Sequence, residues 1–148
     1  MAESEEIIDS PTGWVHDHIR SYVESDGAKG HQWRGVSTLL LTTRGRKSGK
    51  LRRTALIYGQ ADGNYLIVAS DGGADHHPLW YLNLSATPEV ELQVGAAKFT
   101  AHARTASAEE KARLWPLMAK LFPNYDAYQQ KASKAGRDIP LVILTPAK

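Results

Sequence analysis

Two short apolar stretches that enclose a cationic segment constrain this fold more than any other feature of the sequence. Residues 37–43 read STLLLTT and residues 54–58 read TALIY, and such aliphatic and β-branched runs favour strands. The residues between them centre on Ser48-Gly49, which predicts a turn. We therefore expect a hairpin, and a sheet built on it is antiparallel at this point.

The same alternation of apolar runs and turns predicts the remaining elements. We expect further strands at residues 65–70, 90–94, 98–104 and 141–144, and helices at residues 12–25, at residues 78–84, after Ser107, and through Tyr125 and Tyr128. Ser107 and Glu110 have the spacing of a capping box, so a helix begins there. The tight connections favour an α+β fold, with a mainly antiparallel, barrel-like sheet of about six strands and flanking helices.

Length and composition indicate one globular domain. The chain has 148 residues, of which 42% are hydrophobic and 23% charged, as is usual for a domain with a single core. Residues 1–10 hold four acidic residues and no basic one, so we expect a flexible acidic tail there. Residues 11–148 are expected to form the single domain. Without cysteine, disulfides, thiolate metal sites and cysteine nucleophiles are excluded.

The sequence also bears on location. No apolar run approaches the ~18 residues that a membrane-spanning helix needs, and the acidic start lacks a signal-peptide pattern. We therefore expect a cytoplasmic protein without a transmembrane segment. In the first helix, Trp14 and Tyr22 would allow peripheral membrane contact, whereas Asp17 and the histidines His16 and His18 favour a lid.

Positive charge is concentrated in one segment. The net charge is only +2, yet six of the 18 lysines and arginines lie between residues 44 and 53. Like charges repel, so a structural role explains the cluster poorly, whereas arginine and lysine together suit a phosphate or carboxylate ligand. We interpret the segment as an anion site. A solvated turn remains an alternative, and a nucleic-acid surface has little support because no aromatic residues are interleaved.

Two further features carry possible chemistry. Residues 69–75 (ASDGGAD) lead into a helix at Pro78, an arrangement that predicts an anion cradle of backbone N–H groups. Adjacent His76 and His77 would point about 100° apart on a helix, so we predict no metal site. Tyr125 and Tyr128 share one helix face; such aromatics usually belong to the core, but phenols beside a pocket can donate protons.

In combination, these motifs resemble the deazaflavin-dependent nitroreductase family, actinobacterial oxidoreductases that use coenzyme F420. The resemblance rests on residues 40–49 (LLTTRGRKSG), 66–74 (LIVASDGGA), 78–84 (PLWYLNL) and 122–128 (FPNYDAY), and it covers about residues 36–145. It implies a split β-barrel that transfers a hydride from reduced F420 to an electron-poor acceptor. Expected acceptors are activated C=C bonds in enones, quinones or coumarin-like lactones, or nitro compounds. The alternative is a non-catalytic flavin- or deazaflavin-binding protein.

The resemblance also assigns residues. Those that it implies for binding the coenzyme's acidic tail, phosphate and ring are Arg46, Lys47, Ser48, Arg52, Arg53, Thr54, Val68, Ala69, Ser70, Leu79, Trp80, Tyr81 and Asn83. Tyr125, Tyr128 or water is implied as the proton source. Family members that reduce nitroimidazoles tend to have lysine at the position of Asp71 and tyrosine at the position of Phe122. We therefore expect one phosphate contact and nitroimidazole reduction to be weaker in this protein. The expected partner is a small-molecule acceptor, not nucleic acid, and the protein is expected to be a monomer or homodimer.

Overall fold

The computed structural model describes residues 6–11, 13–33 and 35–147, which form one large sheet and four α-helices. In chain order the elements are β1 (Ile7–Asp9), α1 (Gly13–Glu24), β2 (Gln32–Trp33), β3 (Val36–Arg44), β4 (Leu51–Ile57), β5 (Gly59–Ala61), β6 (Asn64–Val68), a 3₁₀ turn (Asp71–Gly73), α2 (Leu79–Ala86), β7 (Glu89–Val94), β8 (Ala97–Thr105), α3 (Ala108–Leu121), α4 (Asn124–Lys134) and β9 (Leu141–Pro146).

The sheet runs in the order β1-β4-β3-β7-β8-β9-β6-β5, with β2 added to β3. Its pairings are antiparallel except for the parallel pairing of β1 with β4, and β4 also approaches β6 across the curved sheet. The expected α+β class and mainly antiparallel sheet are confirmed. The expected number of strands is too low, because β1, β2 and β5 are two or three residues long and show no periodicity.

The hairpin turn is shorter than its charge pattern predicts. β4 begins at Leu51, and Arg52 and Arg53 pair with Thr43 and Thr42 of β3. Both arginines are therefore held in the sheet, and only residues 45–50 form the turn. The length of β3 decides this, since β3 extends to Arg44 and starting β4 at Leu51 lets every residue from Thr38 to Arg44 be paired.

The expectation of a flexible tail at residues 1–10 is wrong for residues 7–10. Ile7–Asp9 pairs with Leu51–Arg53, and the Ser10 amide donates a hydrogen bond to the Arg53 carbonyl. The Asp9 carboxylate accepts from Arg53 at 2.6 and 3.2 Å, and both side chains are largely buried. An acidic residue is ordered here because a specific cation opposes it. Residues 1–5 lie outside the described residues.

The core divides into three clusters around the sheet. Alternate residues of β3 face opposite sides, so Leu39 and Leu41 pack inside the sheet while Leu40 packs beneath α1. Tyr22, on the inner face of α1, is fully buried, and its hydroxyl donates to the Thr38 carbonyl at 3.0 Å. Tyr22 is therefore not available for the peripheral membrane contact that the sequence would allow. None of the helices in the described ranges is both long and apolar enough to cross a membrane.

The start of α3 confirms the capping box. The Ser107 hydroxyl accepts from the Glu110 amide at 3.2 Å, and the Glu110 carboxylate accepts from the Ser107 amide at 2.9 Å. Arg104 also donates twice to Glu110, and these hydrogen bonds lower the pKa of Glu110 to about 2. The cap fixes where α3 begins and so places α3 and α4 over the third cluster, which contains Met118 and Tyr125.

Replacing Gly27 with alanine is expected to destabilise the protein strongly. Gly27 has φ +86°, and a Cβ there would clash with the backbone of Gly95. The left-handed backbone and the backbone clash together should cost about 3–5 kcal/mol of unfolding free energy. Gly63→Ala is the matched control, because its φ is +78° but nothing lies within 4 Å. It should cost about 1–2 kcal/mol. Urea midpoints measure both, and equal losses would contradict the close approach.

Candidate active site

A cavity of about 600 Å³ opens between β1, β4 and the start of α2. We call it the charged cavity, and it is lined by Ile8, Asp9, Ser10, Pro11, Thr43, Arg52, Arg53, Thr54, Asp71, His76, His77, Pro78, Leu79, Trp80 and Asn83. Six residues of the predicted coenzyme site meet there, three from β4 and three from α2. The volume falls within the ~300–1,000 Å³ usual for small-molecule sites.

The two arginines of β4 differ in their availability to a ligand. Arg53 is largely buried and bound by the Asp9 carboxylate. Arg52 is exposed and, in the part of the chain that the structure describes, has no hydrogen-bond or ion-pair partner. An arginine without an internal partner can make a bidentate contact with a phosphate or carboxylate. The Arg52 guanidinium is therefore available to an anionic ligand in the cavity wall.

Asn83 connects the charged cavity with the exposed turn of the β3–β4 hairpin. Its side chain is buried, its Oδ1 accepts from the Arg46 amide at 3.1 Å, and its Nδ2 donates to the Thr43 hydroxyl at 3.2 Å. Arg46, Lys47 and Ser48 lie on this turn, outside the cavity walls. The structure thus places them beside the cavity, where they can meet a ligand tail that extends out of it.

A second cavity of about 250 Å³ shares strand β4 with the first, and half of its lining residues carry aromatic rings. This aromatic cavity is lined by Trp14, His18, Trp33, Thr38, Ala55, Leu56, Ile57, Val68, Ser70, Phe122, Tyr125 and Tyr128. Residues 52–54 of β4 line the charged cavity and residues 55–57 line the aromatic one, so one strand forms a wall of both. Two indoles stack at its edge, with the Trp14 and Trp33 centroids 5.8 Å apart.

Both predicted catalytic tyrosines lie in the aromatic cavity. Tyr125 is only 5% exposed, and its ring packs edge-on against Phe122 at 5.0 Å and Tyr128 at 6.4 Å between centroids. Burial, with a smaller contribution from Tyr128, raises the pKa of Tyr125 far above that of a free phenol. The phenol is therefore neutral over the physiological range and is a hydrogen-bond donor.

The glycine loop before α2 has a different role from the predicted anion cradle. The Gly73 amide donates to the Ser70 carbonyl, and the Ala74 amide donates to the Asp71 carbonyl. A Cβ at Gly73 would lie 2.7 Å from the Tyr128 carbonyl oxygen. The loop therefore uses these amides internally and packs closely against α4, which fixes Tyr128 relative to residues 69–74.

Arg137 organises this loop, and the sequence reasoning missed it. Gly136 has φ +81°, and the Gly136 and Arg137 amides donate to the Ser133 and Ala132 carbonyls, the Schellman pattern that ends a helix. The turn directs the Arg137 side chain inward, where it is 7% exposed and donates to the carbonyls of Ala69, Ser70 and Ala74. A glycine followed by arginine after a helical run is the signal that could have revealed it.

Besides the three residues of the hairpin turn, the predicted coenzyme residues Ala69 and Tyr81 line neither cavity. Ala69 is fully buried, with its carbonyl bound by Arg137. The Tyr81 hydroxyl bonds with the Thr105 hydroxyl at 2.7 Å, and its ring packs on His77. Both residues pack against residues of the cavity walls and do not themselves line a cavity. Among the described residues, no three His, Asp or Glu side chains are grouped to hold a metal ion.

Comparison with known proteins identifies the family. Residues 14–146 match the model of the F420H(2)-dependent quinone reductases. The chain belongs to this family. An F420H(2)-dependent quinone reductase of Mycobacterium tuberculosis is 39% identical over 134 residues, which cover 88% of this chain and 87% of that protein.

Solved structures agree with this assignment. An F420H2-dependent reductase is 39% identical, with a TM-score of 0.65 over 72% of this chain and 92% of that one. A structure described as a domain-swapped dimer is 37% identical, with a TM-score of 0.68 over 91% of this chain and 99% of that one. The fold is the split β-barrel of F420-dependent reductases, as the sequence resemblance implies.

Family membership makes the chain an oxidoreductase with coenzyme F420 as its cofactor. The residues present fit this group, which combines a flat ring with an anionic tail. Arg52 offers an unpaired cation in the charged cavity, and the hairpin turn adds Arg46 and Lys47 outside it. Trp80 supplies an aromatic surface in the same cavity. These groups could hold the coenzyme without any rearrangement of the sheet.

Arg52→Ala is expected to weaken binding of oxidised F420 by about 1–2 kcal/mol, roughly 5- to 30-fold, because the cavity loses its unpaired cation. Lys47→Ala is the matched control, since Lys47 lies on the exposed turn outside the cavity. An exposed contact of this kind is worth about 0.2–1 kcal/mol. Fluorescence titration at two salt concentrations measures both, and the Arg52 effect should be larger at low salt. Equal effects would contradict a special position for Arg52.

Proposed function

We propose that this protein reduces quinones to hydroquinones with reduced F420, binding the coenzyme in the charged cavity and the quinone in the aromatic cavity. The observation that carries the proposal is that consecutive residues of β4 line the two cavities, residues 52–54 the first and residues 55–57 the second. A donor ring and an acceptor ring held in adjoining sites can meet face to face, which supplies the orientation that hydride transfer needs.

The shape of the aromatic cavity supports a flat acceptor. The Trp14–Trp33 stack and the cluster of Phe122, Tyr125 and Tyr128 border it, and aromatic faces pack well on planar rings. Relatives described as F420H(2)-dependent quinone reductases support the same acceptor class. Phe122 brings no hydroxyl to this cavity, which favours an acceptor that needs few hydrogen bonds over a nitroimidazole.

The reaction balances with one hydride and one proton. When bound, reduced F420 supplies the hydride, which is two electrons and one proton. The protein must then deliver a second proton to the quinone oxygen, and its walls must exclude water while this occurs. Tyr125 is placed for that delivery because it lines the aromatic cavity as a neutral phenol, whose O–H can donate to the quinone oxygen. Solvent restores the proton through Tyr128, which is half-buried beside it.

The proposal also covers the assembly and the location of the protein. A solved relative described as a domain-swapped dimer supports a homodimer for this chain. We place the protein in the cytoplasm, with the exposed side chains of Trp14 and Leu79 available for contact with a hydrophobic quinone source. The proposed partner is thus a small-molecule acceptor, and nucleic acid has no part in the function.

A turnover assay tests the proposed function directly. Purified protein is mixed with reduced F420 and one of three acceptors: a naphthoquinone, an enone, or a nitroimidazole. We expect reoxidation of F420, followed by its absorbance, to be fastest with the quinone. If the enone is reduced faster than the quinone, the acceptor class is activated C=C bonds and not quinones. Tight binding of F420 without turnover of any acceptor would favour the non-catalytic alternative.

Tyr125→Phe is expected to lower the turnover number for the quinone by roughly 100-fold, the usual contribution of a general acid, while coenzyme affinity stays within about 2-fold. The phenylalanine ring preserves packing against Phe122 and Tyr128, so only the hydroxyl is lost. Tyr128→Phe is the matched control and should have a smaller effect. Stopped-flow kinetics and fluorescence titration measure the two quantities. A parallel loss of both in Tyr125→Phe would sink its role as the proton donor.

A further inference from the structure

His77 lies in the wall of the charged cavity with one ring nitrogen already bound. The Arg137 Nε–H donates to its Nδ1 at 2.9 Å, while the same guanidinium holds the carbonyls of Ala69, Ser70 and Ala74. On another side the His77 ring packs against Tyr81, with centroids 4.8 Å apart. The imidazole is therefore held in position by Tyr81, four residues further along the chain, and by Arg137, which is 60 residues away in the sequence.

The contact with Arg137 determines which nitrogen of His77 carries the proton. Guanidinium groups donate hydrogen bonds and cannot accept them, so Nδ1 must offer its lone pair. In a neutral imidazole the proton is then on Nε2. Burial, and to a lesser extent the charge of Arg137, lowers the pKa of His77 and so disfavours the doubly protonated ring.

The Nε2–H of His77 is left for a ligand. Its ring lines the charged cavity, and in the part of the chain that the structure describes Nε2 has no hydrogen-bond partner. Among the described residues no unpartnered side-chain nitrogen or oxygen is buried, so this Nε2–H is open to the cavity, where an acceptor can reach it.

Charge around His77 indicates what kind of oxygen it would bind. Asp71 and His76 line the charged cavity together with His77. The His76 ring contacts the Asp71 carboxylate at 3.1 Å and the Asp75 carboxylate at 2.9 Å. The unpaired cation Arg52 belongs to β4 instead. A phosphate is favoured beside Arg52 and disfavoured beside two carboxylates. The charge of Arg137 beside His77 is opposed by Asp71 and Asp75, and its N–H groups are already bound to backbone carbonyls. The neutral donor His77 therefore suits an uncharged oxygen.

We propose that the Nε2–H of His77 donates a hydrogen bond to a carbonyl oxygen of the deazaflavin ring, and that Arg137 is the positioning residue that sets the His77 tautomer. The proposal rests on the coenzyme being bound in the charged cavity and is independent of the acceptor. In this proposal the segment that contains His77 binds the ring, whereas β4 and the hairpin turn bind the anionic tail.

Paired substitutions of His77 test the hydrogen bond. His77→Phe keeps a ring but removes the donor, and it should weaken binding of oxidised F420 by roughly 3- to 10-fold. His77→Gln is the matched control, because its amide can place an N–H near the position of Nε2, and its affinity should stay within about 2-fold of wild type. Equal losses in the two variants would overturn the donor role.

A truncated coenzyme distinguishes the ring from the phosphate. The probe is the deazaflavin riboside, which has the ring and ribityl chain but no phosphate or acidic tail. His77→Phe should weaken riboside binding by the same factor as it weakens F420 binding. An effect that disappears with the riboside would mean that His77 binds the phosphate, and the proposal would be overturned. Arg52→Ala should show the opposite pattern, affecting F420 and sparing the riboside.

The tautomer is measurable in the coenzyme-free protein. Long-range ¹H–¹⁵N correlation spectra of histidine-labelled protein should show His77 protonated at Nε2, and Arg137→Met should give a mixture of tautomers. A His77 proton on Nδ1 in the wild type would overturn the proposal. If Arg137→Met fails to fold, the wild-type spectrum and the two His77 variants still decide. None of these measurements uses an electron acceptor, so their failure and a failure of quinone reduction are separate results.

Discussion

Pairing of β3 with β4 through seven residues of register holds both halves of the active site together. β4 forms a wall of the charged cavity with residues 52–54 and a wall of the aromatic cavity with residues 55–57. A slip of one residue in this register would turn Arg52 to the other side of the sheet and exchange buried for exposed positions along β4. The alternation of Leu39, Leu40 and Leu41, each packed into a core cluster, opposes such a slip.

Much of the fold could be predicted because its signals are local. The apolar runs of β3 and β4, the Ser107–Glu110 capping box and the tyrosine pair of α4 are each contained within a few residues. The strands β1, β2 and β5 lacked such a signal because they are too short for a period to appear. They form where longer strands leave backbone groups to be paired, which depends on the assembled sheet.

The site was predicted less completely, for a related physical reason. Arg52 and Trp80 belong to continuous motifs and could be found, whereas Arg137 acts on Ala69, 68 residues away in the sequence. Its role depends on the Schellman turn at Gly136 and on carbonyls that face it only in the folded chain. His77 looked like half of a histidine pair in the sequence. Its chemistry is set by a hydrogen bond that no spacing rule describes.

The ion pair between Asp9 and Arg53 makes the beginning of the chain a structural part of the active site. β1 pairs with β4 along one edge of the sheet, and Ile8 and Asp9 line the charged cavity. The position of a purification tag therefore affects this cavity. A tag or a truncation that disturbs residues 7–9 alters a wall of the charged cavity, whereas a tag after residue 148 leaves β1 free to pair with β4.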